Sequence, residues 1–471
     1  MNHDQLHFTV NADPAIKKEE HPLLQQCRSI LCGFQETEDT GTAIATFLTE
    51  QRDIAEIPDS AGEQKAVLDA LRNLYISRKQ RLQFRMILKT LLSPDCQPVL
   101  FLTHPLEWIG GASAFGKQQI RRLLDAGRTV LTLSPLNGMI KVECSFRDFS
   151  VTACAQNPGS LLLPELQSRI TQIEINDLVS WNLLFRRNTL QEEDFEEMIT
   201  FIRRIGEASG CGIRYYFHSF FPVCPFGCLF NEKQTYCRPD SDWSACTECV
   251  KHKNSMLGIN PGEHFSIVRW REMFRGLFSH CTELRFFSAS SCAIVRNILP
   301  DLPDWDEKVK VEGHLPQRDL TPIHPERGEK IVIVCAGTID RIKGAALLEA
   351  LSEYIHDNGL PAEIVVLGSL QATRPLPPNI RMTGKYRQED MPALLKHFKA
   401  NIGFMPSLWP ETFSFVTQEF MMMDLPTVCF DLGAPAERLG AWERGMVIPE
   451  MTVESTWATI CRLYEKCYGK S

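Results

Sequence analysis

The feature that most constrains the fold is the regular alternation of short apolar runs with helical patterns in the last third of the chain. Uninterrupted apolar runs, typical of strands buried on both faces, occur at 331–337, 362–368, 401–406 and 426–431. Helical patterns occupy 344–357, 388–399, 413–423 and 453–468, and a short strand is expected near 379–383. Strands that alternate with helices predict a parallel α/β sheet.

A similar alternation begins earlier in the chain. The run PVLFLT at 98–103 is followed by a helical stretch at 112–126 and a second strand at 129–133. Further strands are expected near 170–176, 213–217 and 284–288, and helices near 191–208, 265–279 and 290–299. The Pro-rich segment 300–328 is typical of an interdomain linker. We therefore expect two doubly wound domains that face a cleft, with ligands outside the carboxyl ends of their strands.

The domain boundaries follow from these patterns. Residues 1–95 lack a clear strand pattern and are predicted to be a helical extension. Residues 96–315 are predicted to form an N-terminal Rossmann-like domain, and residues 316–471 a C-terminal Rossmann-like domain. One option left open is that the last helix, 453–468, packs back on the first domain.

Composition excludes several classes of protein. The 471 residues are 44% apolar and 23% charged, which is typical of a globular protein and not of a disordered, collagenous or coiled-coil chain. A net charge of -8 argues against a nucleic-acid partner held by bulk electrostatics. No run approaches the ~18 apolar residues of a membrane span. The opening residues, MNHDQLHFTV, do not resemble a signal peptide, so we expect a cytoplasmic protein.

An acidic pair follows the apolar run at 401–406. Pro410 cannot continue a strand and is expected to place Glu411 at a helix start that Thr412 or Ser414 caps. The exposed amides near Phe413 and Ser414 would form an anion site. Glu411 could bind sugar hydroxyls, and Glu419, further along, a ribose diol. The alternative is that both glutamates lie on a solvated face.

The text PSLWPETFSFVTQE at 406–419 resembles the signature of the retaining glycosyltransferases of family four, in which seven residues separate two glutamates. MMMDLPTVCFDLGAPAERL at 421–439 is also similar to the family, apart from Asp424, where the family favours Gly. The resemblance covers 330–470 well and 98–300 more weakly. It implies a GT-B fold and sugar transfer from a nucleotide sugar, with Glu411 on the sugar and Glu419 on the ribose.

The segment CAGTIDRIKG at 335–344 is the expected phosphate-binding end. A glycine after a buried strand allows close approach of a phosphate, and Lys343 supplies a positive charge. The resemblance places Gly337 and Lys343 in register with the family pattern, but Thr338 stands where the family has Arg. Arg341 is a candidate substitute. The alternative is an ordinary solvated lysine.

Two segments of the first domain complete the expected site. The resemblance implies that the loop at Gly110-Gly111 and the strand-end His218 line the reaction centre, although Ser219 replaces the family's Asp. The alternative is a structural histidine and an ordinary turn. His218, Glu411 and Lys343 are thus the predicted catalytic residues.

A cysteine cluster interrupts the chain at 222–252. The chain has 17 cysteines, and Cys224, Cys237, Cys246 and Cys249 have the spacing C-x12-C-x8-C-x2-C. Four sulfurs at this spacing favour a structural zinc in a loop with little apolar material. A similar insertion occurs in a bacterial subgroup of the resembled family. Unliganded reduced thiols, an iron–sulfur cluster and disulfides are the alternatives.

Two other features have simpler interpretations. The triplets Asp240-Ser241-Asp242 and Asp304-Trp305-Asp306 are short acidic motifs that we interpret as surface, so no catalytic magnesium is expected. The segment 77–92 is basic and amphipathic; it could contact an anionic membrane peripherally or be a packed helix with solvated charges.

The sequence therefore predicts a retaining hexosyltransferase that uses a nucleotide sugar and a glycan, lipid-linked or protein acceptor. Bacterial surface-polysaccharide or other glycoconjugate synthesis is the expected setting. A nucleotide-sugar epimerase of the same fold and a non-catalytic GT-B scaffold or glycan-binding subunit are the rival functions. The replacements at Thr338 and Ser219 favour the scaffold.

Overall fold

The structure is a computed structural model that describes part of the chain in two compact units. The described residues are 10–12, 96–106, 110–136, 139–147, 149–155, 164–181, 189–231, 235–240, 242–252, 260–262, 264–314 and 320–469. The first unit comprises Met1–Trp108, Gly116–Arg186 and Glu197–Arg214, and the second comprises Ile109–Phe115, Arg187–Glu196 and Tyr215–Ser471.

Strands alternate with helices along most of the described chain. The strands are β1 (Val10–Ala12), β2 (Pro98–Leu102), β3 (Thr129–Leu136), β4 (Met139–Ser145), β5 (Phe149–Ala155), β6 (Gln172–Ile175), β7 (Thr189–Leu190), β8 (Gly212–Tyr216), β9 (Asn260–Pro261), β10 (Glu283–Phe286), β11 (Val309–Val311), β12 (Ile331–Ile339), β13 (Ala362–Leu370), β14 (Ile380–Met382), β15 (Ile402–Met405), β16 (Thr427–Phe430) and β17 (Gly445–Ile448).

The helices are α1 (Gly111–Asp125), α2 (Pro164–Gln167), α3 (Glu192–Ser209), α4 (Ser244–His252), α5 (Ile267–His280), α6 (Ala289–Ile298), α7 (Trp305–Lys308), α8 (Ala345–Asp357), α9 (Met391–His397), α10 (Phe415–Met422), α11 (Gly433–Gly440) and α12 (Val453–Tyr468). A single 3-10 turn, Gln388–Asp390, precedes α9. These bounds confirm the α/β fold that the apolar runs predict.

The first unit contains a mixed sheet. Its strands lie in the order β1-β5-β4-β3-β2-β6-β8. β2 pairs in parallel with β3 and with β6, whereas β4 is antiparallel to both β3 and β5. All five residues of β2 are buried, as expected of a central strand in an α/β sheet.

The sequence patterns did not predict the antiparallel edge of the first sheet. Leu136 pairs with Met139, so Asn137 and Gly138 alone connect β3 to β4. Asn-Gly between two strands is a strong hairpin signal that the sequence analysis missed. β1, which pairs antiparallel with β5, lies within residues 1–95, where the sequence shows no clear strand pattern. Most of the predicted helical extension lies outside the described residues.

The second unit contains a six-stranded sheet that is parallel throughout. Its order is β14-β13-β12-β15-β16-β17. Numbered from β12, this is the order 3-2-1-4-5-6 of a doubly wound sheet. The switch point lies between β12 and β15, where the chain stops adding strands on one side of β12 and starts adding them on the other. Apolar side chains of alternate strand residues fill two cores, one on each face of the sheet. The doubly wound prediction is therefore confirmed for this sheet.

Three local differences have identifiable causes. α10 begins at Phe415 and not at 413, because Ser414 has φ 68°, which is incompatible with a helix, and caps it instead. The helix predicted at 388–399 ends at His397, followed by Lys399 with φ 55°. α11 and β17 were not predicted, because their apolar runs are short.

The last helix, α12, packs in the second unit against α8, β16 and β17. Ile460 and Leu463 are fully buried in the core there. The Tyr464 hydroxyl accepts a hydrogen bond from the Gly328 amide at 3.0 Å. In the described part of the chain, no helix is both long and apolar enough to cross a membrane. The basic segment 77–92 lies outside that part.

Candidate functional site

A cavity of about 300 Å³ opens at the carboxyl ends of β12 and β15. This is where the strand order reverses, the position at which doubly wound sheets bind ligands. Every residue that lines it belongs to the second unit. The lining comprises residues from β12 and β15 and from the segments that follow them, together with Gly111, Ala112, His218 and His314.

Glu411 lies on the cavity wall in an irregular loop four residues before α10. The Ser407 hydroxyl donates a hydrogen bond to its Oε1. Its main-chain oxygen accepts a hydrogen bond from the Ala434 amide at 2.9 Å, so α11 fixes the backbone as well. Because both its side chain and its backbone are held by hydrogen bonds, the Glu411 carboxylate is preorganised to accept hydrogen bonds from ligand hydroxyls.

The N-terminus of α10 opens on the same cavity. Ser414 caps the helix by accepting a hydrogen bond from the Thr417 amide at 3.4 Å, and Phe415 and Val416 of the first turn line the cavity. Thr412 and Phe413 also line it. Amide dipoles at a helix start favour an anionic ligand. The helix start that the sequence predicts near 413 thus lies two residues later, at Phe415.

Lys343 reaches the cavity from the segment between β12 and α8. Its amide donates to Asp340 Oδ1 at 3.0 Å, which shapes the loop. The next residue, Gly344, has φ 79°, and a Cβ there would lie 2.2 Å from the Pro406 carbonyl oxygen. Only glycine lets the loop after β12 approach the loop after β15 this closely. Lys343 and the first turn of α10 therefore line the same cavity.

His218 follows β8 and is half-buried in an aromatic cluster. Its ring lies 4.7 Å from Phe287 and 5.1 Å from Phe115, measured between centroids. Its carbonyl oxygen accepts a hydrogen bond from the Thr412 hydroxyl at 2.9 Å. That bond ties the histidine backbone to the Glu411 loop.

Not every predicted site residue lies at this cavity. Gly111 does, and a Cβ there would lie 2.4 Å from the Phe415 ring, so a side chain would displace that ring. The residues that do not line it are Gly110, Gly337, Thr338, Arg341 and Glu419. Thr338 and Arg341 are exposed. Glu419 lies on α10 near Tyr386; burial, followed by the Glu419 charge, raises the pKa of Tyr386 to about 12.

Two polar side chains on the cavity wall were missed by the sequence analysis. The His314 ring and the Trp409 indole both line it, and His314 Nδ1 and Trp409 Nε1 are buried without a hydrogen-bond partner in the described chain. Trp409 lies inside the quoted PSLWP text, which could have drawn attention to it. His314 lies in the Pro-rich segment interpreted as a linker, and no spacing rule marks it.

The four predicted zinc ligands surround a second cavity, of about 360 Å³. Burial, followed by the neighbouring Cys224, Cys246 and Cys249, raises the pKa of the Cys237 thiol to about 12. All four are thiols and not disulfides. Among the described residues, however, no group of three or more His, Cys, Asp or Glu side chains is placed to hold a metal ion. The structure therefore does not support the zinc prediction directly.

A buried guanidinium lies beside these thiols. Arg271 is 1% exposed, and its Nη2 donates to the Cys246 sulfur at 3.2 Å. Its Nε donates to the Val223 carbonyl at 2.8 Å, whereas its Nη1 has no hydrogen-bond partner in the described chain. A buried positive charge is costly unless an anion is near. Anionic sulfur in this cavity would supply one.

The four aspartates of the two acidic triplets do not line the cavity at β12 and β15. Asp242 is exposed and accepts a hydrogen bond from the Ser244 amide at 3.0 Å at the start of α4. Asp306 is exposed and pairs with Arg296 at 3.1 Å. Trp305, between the second pair of aspartates, is buried. Of the two triplets, the first has an aspartate, Asp242, that contacts a helix start.

Comparison with solved structures gives distant likenesses. Sucrose-phosphate synthase from Thermosynechococcus elongatus is 13% identical, with a TM-score of 0.46 over 79% of this chain and 92% of that one. HepE from Anabaena, in complex with UDP and glucose, is 12% identical, with a TM-score of 0.46 over 79% and 93%. The catalytic domain of starch synthase IV from Arabidopsis thaliana, bound to ADP and acarbose, is 10% identical, with a TM-score of 0.45 over 80% and 96%.

Comparison with curated protein sequences found no match. A family model does match part of the chain: residues 330–466 match the Glycosyl transferases group 1. The matched segment is under a third of the 471 residues, and it contains β12 to β17. The part of the chain that supplies Lys343, Glu411 and the start of α10 is therefore similar to the group 1 glycosyl transferases.

Proposed function

We propose that this protein is a retaining glycosyltransferase that moves a sugar from a nucleotide sugar to an acceptor hydroxyl. One observation carries the proposal: a cation, a carboxylate and a helix N-terminus converge in one cavity at the switch point of a doubly wound sheet. The match of residues 330–466 to group 1 glycosyl transferases supports the same reaction class. The resemblance noted in the sequence favours a GT-B enzyme of family four.

The positive end of the cavity would bind the diphosphate. Lys343 and the first-turn amides of α10 offer a charge and aligned dipoles that can stabilise the leaving diphosphate. In this proposal these groups take the role that magnesium plays in other transferases. Glu419, on the same helix, is proposed to bind the ribose diol.

The sugar would lie between Glu411 and His218. Glu411 would accept hydrogen bonds from sugar hydroxyls, and His218 would contact the sugar near its anomeric carbon. The acceptor oxygen attacks the anomeric carbon on the face that the diphosphate leaves, while the bond from that carbon to the phosphate oxygen breaks. The acceptor proton passes to the leaving phosphate, so the configuration is retained and no protein nucleophile is needed.

Thermal shift against nucleoside diphosphates and their sugar conjugates tests the proposal. We expect a rise in melting temperature with at least one nucleoside diphosphate, because ligand binding stabilises the folded state. No shift with any of them would favour the rival scaffold. Conversion of a nucleotide sugar to its epimer without an acceptor would favour the rival epimerase.

Replacing Glu411 with glutamine is expected to lower the rate of sugar transfer. A lost charge-assisted hydrogen bond costs about 1.5–3 kcal/mol, which is about ten- to a hundredfold in kcat/KM. Release of nucleoside diphosphate from the donor measures the change. Glu450→Gln, at an exposed position outside the cavity, is the control and should leave the rate unchanged. Equal activity of the wild type and Glu411→Gln would reject the proposed contact between Glu411 and the sugar.

Glu419→Ala is expected to lower the binding affinity for nucleosides and for nucleoside diphosphates alike, by about ten- to a hundredfold, because both contain the ribose. Calorimetric titration of both ligand classes measures it. Since Glu419 does not line the cavity, an unchanged affinity in a folded variant would assign this glutamate to the structure of α10 and its contact with Tyr386.

We also propose a structural zinc at Cys224, Cys237, Cys246 and Cys249. Support comes from the shared cavity, the C-x2-C spacing and the buried Arg271, whose charge four thiolates and a zinc ion would offset. The thiols would have to move closer together to bind the ion, since their described positions do not form a metal-holding group. The zinc would stabilise the loop and take no part in the reaction.

The setting of the reaction is proposed from the sequence alone. Cytoplasmic synthesis of a bacterial surface polysaccharide or other glycoconjugate fits the resemblance, with a glycan, lipid-linked or protein acceptor. Peripheral membrane contact through 77–92 stays a prediction, because that segment lies outside the described residues.

A further inference from the structure

His314 is a buried polar residue that the proposed reaction has not used. It follows β11 and is 8% exposed. The centroid of its ring lies 3.7 Å from Phe287, 4.6 Å from Phe413, and 4.9 Å from both Phe115 and Phe415. These contacts fix the ring within an aromatic cluster on the cavity wall.

Packing does not account for the imidazole. Its Nδ1 is buried and has no hydrogen-bond partner in the described chain, although most buried polar atoms in proteins have one. Burying a polar group without a hydrogen bond is destabilising. A phenylalanine would fill the same space among the same rings without that cost. The nitrogens therefore point to a role in binding.

The ring also lies beside the proposed sugar site. The His314 and His218 rings are nearly parallel, with 15° between their planes and 5.5 Å between centroids, and both line the cavity. A polar ring edge set among aromatic faces suits a sugar, which offers hydroxyls for hydrogen bonds and C–H groups for the faces.

The charge state of His314 is set by its surroundings. Burial, followed by the Arg438 charge, lowers its pKa to about 3. The other charged or titratable side chains at this wall are Lys343, Glu411 and His218. At neutral pH the ring is uncharged, with one donor and one acceptor nitrogen. A neutral imidazole suits a hydroxyl better than a phosphate, which favours cations.

We infer that His314 hydrogen-bonds a hydroxyl of the transferred sugar and so helps to select the sugar of the donor. This inference rests on the proposed glycosyl transfer at the same cavity. It assigns a sugar-contacting residue to the segment after β11, which the sequence patterns mark only as a linker. His314 would act together with His218 but without gaining or losing a proton.

His314→Phe tests the inference, because it keeps the ring volume and removes both nitrogens. We expect kcat/KM for the nucleotide sugar to fall about tenfold or more, while affinity for the nucleoside diphosphate, which lacks the sugar, stays within about twofold. The pH profile of kcat should keep its shape from about pH 6 to pH 9, since the wild-type ring is neutral throughout.

Donors that lack single hydroxyls locate the contact. One such deoxy donor should react poorly with the wild type and no worse with His314→Phe. The missing hydroxyl and the missing imidazole each remove the same hydrogen bond, so the two losses do not add. An equal loss of diphosphate and donor binding, or no change in either, would overturn the inference. If His314→Phe does not fold, His314→Leu, which also has no hydrogen-bonding group, provides the same comparison. A wild type that binds no nucleotide sugar would reject the proposed function itself.

Discussion

Replacing Lys343 with methionine is expected to weaken the binding of nucleoside diphosphate by about thirty- to a thousandfold. Among the described residues that line the cavity, Lys343 is the one lysine or arginine. The first turn of α10 lines the same cavity. Truncating one member of a desolvated charge pair costs about 2–4 kcal/mol. Methionine keeps most of the side-chain length, so the loss reports the charge. Calorimetric titration measures it.

The matching nucleoside provides the internal comparison. It has no phosphate, so its affinity should be the same for the wild type and Lys343→Met. Lys396→Met, at an exposed position on α9 away from the cavity, is the control for removing one positive charge. Equal losses for nucleoside and diphosphate would mean that Lys343 acts through the loop structure and not on phosphate.

Simultaneous replacement of Cys246 and Cys249 by serine is expected to abolish zinc binding and loosen residues 222–252. The wild type should contain about one zinc per chain, because a structural site of four thiolates contributes about 10–16 kcal/mol of apparent binding free energy. The loop follows His218 directly, so sugar placement should suffer more than nucleotide affinity. Metal analysis measures the loss of zinc, and the melting temperature measures the loss of stability.

A matched control removes two cysteines elsewhere. Cys461→Ser with Cys467→Ser, both on α12, should leave the zinc content unchanged. Wild-type protein purified without chelator that has a full complement of titratable thiols and contains no zinc or iron would reject the metal site. Arg271 would then be a buried cation beside neutral sulfur.

The sequence was most informative where strands are buried on both faces. The runs at 331–337, 362–368, 401–406 and 426–431 each became a strand of the parallel sheet, because such strands need apolar side chains on both sides. The order of the strands depends on contacts between distant segments, which no local pattern contains. The first unit's antiparallel edge was missed although Asn137-Gly138 is a local signal for it.

The site was partly predictable for the same reason. Strand ends could be located, and Lys343, Glu411 and His218, which follow strand ends, all line the cavity. The spacing of Glu411 and Glu419 did not place both at the cavity, because Glu411 lies in a loop and Glu419 on a helix that begins at 415. His314 reaches the wall through tertiary packing alone.

Transfer assays with a panel of nucleotide sugars test the central claim most directly. Proton NMR of the product reports its anomeric configuration, and nucleoside diphosphate is measured in the same sample. We expect one diphosphate released per sugar transferred, a product with the donor's configuration, and loss of both activities in Lys343→Met. Folded wild-type protein that releases no diphosphate from any donor, or a product with inverted configuration, would contradict it.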